Sequence, residues 1–515
     1  MARYYALTNA YVYGTDYTSI IIKDNIIEDV GGDNLVSKYR KILDKIIDVD
    51  GRVVIPGLID SHLHLLGTIL FKKSVNLRNC RSIEEIKLKI KRYARKVSKR
   101  KWIIGRGWDQ NLFKEKRFPT RWDLDEVTPD NPVLITRVCG HVGVVNSLAL
   151  KLAGISKNTP NPPNGIIDRD ECGEPTGLLY EGALDMVRKI IPLPTTEEVK
   201  HELHRLLVDM ASYGLTTVHS ISVCERELKA LMELAKEGKL PIRVRIYLSE
   251  EEFVKLFDTI ARNINDFLKI MGIKLFADGS LGGRTAALRE PYTDAPSTTG
   301  VLTITQSKLR YWLHKGVEQG FQVAVHAIGD KAIEFALKTS LELGVSAPTL
   351  RIEHASVTPP DIIELLSKVK PLITIQPHFL VTDWWLKSRL GDRVKYVYRF
   401  KSLIEKGLYV SGSSDSPVEP YNPWLSISAS MTRANFSCIS SGEALSLDQA
   451  LTIYTTGSAR ASWEHHILGQ LKPGYYADLV VLEHDITSMS GYDVSATRVY
   501  MTIVNGRIVY KGRIC

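Results

Sequence analysis

Two histidines one residue apart, in Asp60-Ser61-His62-Leu63-His64, directly follow the apolar run Val53 to Ile59. In extended backbone, positions two apart share a face, so both imidazoles can address one ion. Four more residues of useful chemistry stand at or near the ends of later apolar runs. Lys274 lies in IKLFADGS, His326 closes VAVH, His354 closes RIEH, and Asp415 follows in VSGSSDSP. A lone histidine is more often a hydrogen-bonded structural group, and a lone HxH is a weak signal. Four histidines and an aspartate in equivalent places form a ring of N and O donors suited to a borderline divalent ion, zinc first among them. His219 and His378 lie near such positions without a clear assignment, and His465-His466 reads as surface.

These donors can meet only if the runs that carry them close on one another. Eight candidate strands are Val53 to Ile59, Leu215 to Ser220, Ile242 to Leu248, Ile273 to Ala277, Gln322 to His326, Leu350 to His354, Leu372 to Gln376 and Leu408 to Gly412. Amphipathic helical stretches separate them, the pattern of parallel βαβ units, and eight such units predict a closed barrel with its site at the C-terminal ends of the strands. The opening residues and the closing ones read as short strands with turn chemistry between them, including Asn505-Gly506, a hairpin signal. Neither end alone has strands enough for a stable sheet, so the two are expected to meet. The predicted fold is α/β: a TIM-like (β/α)8 barrel over 56–467, a small β-sandwich from 1–55 plus 468–515, and an inserted subdomain over 77–192, after the first barrel strand and over the barrel mouth.

Composition narrows the function classes. The 515 residues are 44% hydrophobic and 24% charged, ordinary for a globular chain with a core. A net charge of +9 invites a nucleic-acid reading, but the 67 basic and 58 acidic residues are interspersed. The densest basic run, Lys87 to Lys101, carries apolar residues at helical spacing and reads as a solvated helix face. The six cysteines are scattered without a CxxC pair, which suits reduced thiols in the cytoplasm. The N-terminus lacks the apolar core of a signal peptide, and no apolar run approaches the ~20 residues that span a bilayer. The expectation is a cytoplasmic protein with a small-molecule substrate, no nucleic-acid or membrane partner, and a homodimer as the default assembly.

Longer stretches carry a resemblance. PGLIDSHLH (Pro56 to His64), GRGWDQNLF (Gly105 to Phe113), PVLITRVCGHVGVVNSLAL (Pro132 to Leu150), KLFADGSLGGRTAAL (Lys274 to Leu288), VHAIGD (Val325 to Asp330), RIEHAS (Arg351 to Ser356), GSSDSPVEPYNPW (Gly412 to Trp424) and LKPGYYADLVVL (Leu471 to Leu482) occur in order along nearly the whole chain. Together they resemble the amidohydrolase superfamily, and more narrowly its YtcJ-like branch, which includes N-substituted formamide deformylases. The resemblance implies that His62, His64 and Asp415 hold one metal and His326 and His354 a second, with Lys274 bridging them as a carbamate. Lysine as a cation repels metal, whereas its CO₂ adduct is a bidentate anion. The alternative is an ordinary lysine neutralising carboxylates such as Asp278. One or two divalent ions per chain, zinc expected, would serve hydrolysis of a non-peptide C–N bond, with Asp415 moving the proton. A mononuclear deaminase of a heterocyclic amine is the alternative reaction.

Trp108, His141, Arg284 and Trp384 lie in stretches that resemble the branch's signature loops and are candidates for substrate contact. Arg284 could instead pair with Asp278 or Glu290, and Trp384 could simply pack.

Overall fold

Gly57 is where the chain leaves one sheet and enters another. Val53–Pro56 pairs antiparallel with Leu479–Leu482, whereas Leu58–Leu63 pairs parallel with Leu215–Val223. A Cβ on Gly57 would lie 2.2 Å from Thr216 Oγ1, so only glycine permits this approach. The run Val53 to Ile59, expected as one strand, is therefore two, and His62 lies inside the barrel strand rather than after it. The computed structural model describes residues 3–137, 142–162, 165–256, 263–436 and 440–512. It divides into one unit of residues 1–68 and 196–515 and another of 69–195.

In the first unit, eight parallel strands follow one another in chain order: Leu58–Leu63, Leu215–Val223, Arg243–Ser249, Leu268–Phe276, Gln322–Ala327, Leu350–His354, Leu372–Ile375 and Tyr409–Gly412. The first and eighth are not paired as a ladder. Their C-terminal ends are tied instead: the Asp415 N–H donates to the His62 carbonyl at 2.7 Å, and the Ser414 N–H donates to the Asp60 carboxylate at 3.1 Å. With helices on its outside, this is a nearly closed TIM-like barrel. The helices obey ordinary end rules. Gln306–Gln319 starts at Thr305, whose side chain accepts from the Lys308 N–H, and stops at Gly320 in the left-handed region. The fourth strand begins earlier than its apolar pattern predicts, because the Asn265 side chain accepts from the N–H groups of Phe267 and Leu268 and turns Asn263–Asn265 back against it.

The termini supply two further sheets. One is ordered Ile26–Gly31, Ser19–Lys23, Tyr4–Thr8, Lys45–Asp48, and the other Tyr11–Val12, Val53–Pro56, Leu479–Leu482, Val499–Val504, Arg507–Lys511. They share a core containing Leu7, Ile20, Ile22, Leu479, Val481, Met501 and Ile503. The first sheet uses N-terminal residues alone, which the short opening strands did not predict. The closing hairpin turns at Asn505 and Gly506, both at positive φ (54° and 72°), as a type I′ turn demands.

The second unit, residues 69–195 rather than 77–192, holds a six-stranded sheet ordered Gly165–Arg169, Pro175–Glu181, Val142–Val145, Val133–Arg137, Ile103–Trp108, Val75–Asn76. The basic run begins in helix Ile83–Ala94, which buries Ile83, Ile86 and Ile90 while Lys87 pairs with Glu84 and Glu126. That is a solvated face over a core. Among the described residues no helix is long and apolar enough to cross a membrane, and Cys80, Cys172 and Cys224 are free thiols.

Candidate functional site

The barrel's C-terminal end gathers the donors. His62 Nε2 lies 3.5 Å and His64 Nε2 3.3 Å from Asp415 Oδ1. The His62 ring centroid is 5.5 Å from His64 and 5.1 Å from His354, and His354 is 4.4 Å from His326. Donor atoms of His62, His354 and Asp415 all lie within 4.8 Å of one another, a spacing one metal ion can bridge.

Two backbone departures make this convergence possible. His354 has φ 77° and Asp415 φ 56°, conformations that non-glycine residues seldom adopt. Along the sixth strand, Arg351 and Glu353 share a face, and strict alternation would turn His354 away from it. The positive φ breaks that alternation, so both Glu353 and His354 reach His62. Strain of this kind persists where surrounding structure imposes it, and it concentrates at functional positions.

Each imidazole has one nitrogen already committed. His62 Nδ1 is 2.5 Å from Glu353 Oε2, His64 Nδ1 2.9 Å from the Ile221 carbonyl, and His354 Nδ1 2.7 Å from Gln376 Oε1. The Gln376 amide is itself oriented by donating to Ser413 Oγ at 3.0 Å. The Nε2 atoms of these three rings are thereby aimed at the shared space. His326 is reversed, its Nε2 2.9 Å from the Gly279 carbonyl, which leaves Nδ1 for a ligand. Holding the far nitrogen fixes tautomer and ring orientation, the arrangement that metal-binding histidines need.

Electrostatics point the same way. Burial, followed by the Lys274 ammonium at His62 and by a neighbouring imidazole and then Lys274 at His326 and His354, pushes these three imidazoles well below their ordinary range, so they are neutral with a lone pair to donate. Burial raises the Asp415 carboxyl, but His64, His62 and Lys274 outweigh that and hold it below the usual value, ionised at neutral pH. Lys274 is buried without a hydrogen-bond or ion-pair partner among the described residues, and burial brings its amine down to about 8. Neutral imidazoles, an ionised carboxylate and an amine easily deprotonated are a donor set that fits a divalent ion.

Trp108, His141, Arg284 and Trp384 are the expected substrate contacts. Trp108 is fully buried in the core of the 69–195 unit, its ring 6.3 Å from Phe113 and 6.1 Å from Phe118. His141 lies outside the described residues. Arg284 pairs with neither Asp278 nor Glu290 but with Asp294, at 3.1 and 2.9 Å. Asp278 instead accepts N–H bonds from Ala287, Ile328 and Gly329. Trp384 is 75% exposed, so it packs little. His219 is buried beside Arg351 at 3.0 Å, and His378 Nδ1 is 2.5 Å from Glu419. Sequence reading passed over Glu353 and Gln376. Glu353 sits directly before a candidate ligand in RIEH, a position where an acidic residue on a buried strand needs a partner. Gln376 carries no comparable sign.

Residues 45–510 match the protein family described as the Amidohydrolase family. A Bacillus subtilis (strain 168) protein named "Putative amidohydrolase YtcJ" is 36% identical over 510 residues, covering 96% of both chains. The N-substituted formamide deformylase of Arthrobacter pascens is 27% identical, covering 91% of this chain and 90% of its own. The crystal structure of an uncharacterized metal-dependent hydrolase from Pyrococcus horikoshii OT3 superimposes with a TM-score of 0.84 at 36% identity, over 95% of this chain and 99% of that one.

Proposed function

The chain belongs to the amidohydrolase family, and from that premise we propose that it is a metal-dependent hydrolase using zinc to cleave a non-peptide C–N amide bond in a small molecule. The observation that carries this reading is the convergence of four imidazoles and one ionised carboxylate at one end of the barrel, each imidazole held by a protein partner at its far nitrogen. The 36%-identical structure is named a metal-dependent hydrolase, and the deformylase relative acts on an N-substituted formamide, a C–N bond of the proposed kind.

His62, His64 and Asp415 would hold one ion, and His326 and His354 a second. When bound, a divalent ion lowers the pKa of its water from ~15.7 to about 7 and polarises the scissile carbonyl. Asp415 is ionised at neutral pH and so can accept the proton of the attacking water. Passed to the departing nitrogen, that proton turns a poor amide leaving group into an amine. Glu353, Gln376 and the Ile221 carbonyl keep the three Nε2 atoms aimed while the proton moves. Lys274, with its amine at about 8, is neutral in roughly a tenth of molecules at pH 7. The neutral amine can add to CO₂ and lose a proton, giving the carbamate that would join the two halves of the site. His141, Arg284 and Trp384 belong to the proposal as substrate-side residues, and the cytoplasm as the location; Trp108, with no exposed surface, belongs to the core of the 69–195 unit instead.

A second reading is supported by the three donors that already lie within 4.8 Å. They suffice for a single ion, as in a mononuclear deaminase of a heterocyclic amine, with Lys274 left as an ammonium. Lys274→Ala separates the two, since it costs one of two ions in the first case and none in the second.

The test is a panel of N-formyl and N-acyl amines assayed for free amine. Release that stops with a chelator and returns with zinc is the expected result. Turnover of the same amides by thoroughly metal-stripped protein would overturn the reading.

A further inference from the structure

Phe276 ends the fourth barrel strand and is out of place by ordinary burial logic. It lies two residues past Lys274, so the two side chains share a face. It is also in register beside His326 on the fifth strand. Its ring centroid is 5.4 Å from the His326 ring and 5.2 Å from Lys274 Nζ. A phenylalanine among so many polar groups could serve only to cover them, and full burial would then be expected. Instead 48% of the residue is exposed. One part of the ring touches the site, and the rest is open apolar surface. Exposed apolar side chains also occur after the seventh and eighth strands. Trp384 is one, and Val418, whose N–H donates to the Asp415 carbonyl at 2.9 Å, is the other, 46% exposed. Phe276 and Val418 are the apolar side chains shown open beside the polar centre, a combination characteristic of ligand sites, in which a few polar groups orient a ligand and apolar ones hold its body.

We propose that Phe276 is a specificity-determining residue whose open ring face stacks against a flat apolar group attached next to the scissile bond, so that the chain favours planar, apolar amides over compact aliphatic ones. The inference rests on the reading of the adjacent donors as the hydrolytic centre. Phe276 acts on affinity and choice of substrate, not on the chemistry. Offset stacking and area burial give a flat ring the advantage over a methyl group, and removing the side chain removes it.

The test measures binding, so it does not depend on turnover. Benzamide and acetamide are titrated into metal-loaded wild-type protein, Phe276→Ala and Phe276→Leu, with metal content and melting temperature recorded for each. Benzamide should bind wild type about ten-fold or more tightly than acetamide. That preference should vanish in Phe276→Ala and survive in part in Phe276→Leu, with metal content unchanged. Equal affinity for the two amides in wild type, no detectable binding of either, or a preference that survives Phe276→Ala would overturn the proposal. So would loss of metal in Phe276→Ala, because the ring would then be a structural cover. Benzamide selectivity without any amide hydrolysis would leave Phe276 in place while removing the hydrolase reading. Hydrolysis without that selectivity would do the reverse.

Discussion

The two ends of the barrel treat charge in opposite ways. At the N-terminal end, inward positions of the third strand hold Arg243 and Arg245, each fully buried. Arg243 is gripped by Asp478 at 2.7 and 3.2 Å and by Asn505 at 2.9 Å, and Arg245 by Glu464 at 2.6 and 3.1 Å. Lys269 adds a bond to the same Glu464 at 2.7 Å. Every buried cation there has its anion. At the C-terminal end, Lys274 has no ion-pair partner among the described residues, and three imidazoles are kept neutral with one nitrogen unclaimed. Burying a charge is costly unless it is paired, so satisfied pairs mark a region built to hold still, and an unsatisfied set marks one that awaits a ligand. Both regions are rich in buried polar groups, so abundance alone would not have told them apart. The difference lies in whether the partners are already present.

The comparison can be broken most severely at the mouth. His62→Ala or Asp415→Asn should lower kcat by about 10³-fold or more and strip bound metal, Asp415→Asn with the melting temperature of the apo protein nearly unchanged. At the other end, Arg245→Met leaves the buried Glu464 carboxylate with Lys269 as its remaining cation and should cost about 3 kcal/mol in denaturant unfolding while leaving metal stoichiometry intact. If either variant showed the other's phenotype, the division of labour would be wrong.

A pH experiment sharpens the same contrast. Burial raises the Glu464 carboxyl, but Arg245 and Lys269 overcome this and take it from 4.5 down to about 2. A depressed folded-state value stabilises the native form fully above the ordinary value, and that contribution is lost as pH falls from about 4.5 towards 2. The loss should be on the order of 3 kcal/mol in the unfolding free energy from urea titrations between those limits. Glu464→Gln should flatten that part of the profile, and an unchanged slope would remove Glu464 from the account. Glu353→Gln is smaller in effect. It weakens the partner that orients His62 and should reduce metal affinity about 10–100-fold, measured by competition with a chromophoric chelator. Smallest is Trp384→Ala, a change of under about 0.5 kcal/mol in stability, since so exposed a ring packs against little.

Much of this was legible in the residues. The apolar runs and the helical stretches between them placed the barrel strands, because a buried parallel strand is close to continuously apolar. The HxH pair and the later donors were legible because such residues end those runs. Three things were not. The split at Gly57 depends on how near Thr216 comes, a contact between residues far apart in the chain. The roles of Glu353 and Gln376 depend on which strands are neighbours, since each acts on a histidine from another strand. The partner of Arg284 lies ten residues on, across a turn whose path no local rule dictates. Periodicity reports which face a residue occupies, not what waits opposite it.

The central claim is that the mouth is incomplete without an ion. Elemental analysis of purified wild type, His62→Ala and Asp415→Asn, all shown to be folded, tests it most directly. The account predicts at least one divalent ion per chain in wild type, zinc foremost, and a large loss in both variants. Folded wild type that hydrolyses amides with no bound metal, or variants that hold as much metal as wild type, would contradict it.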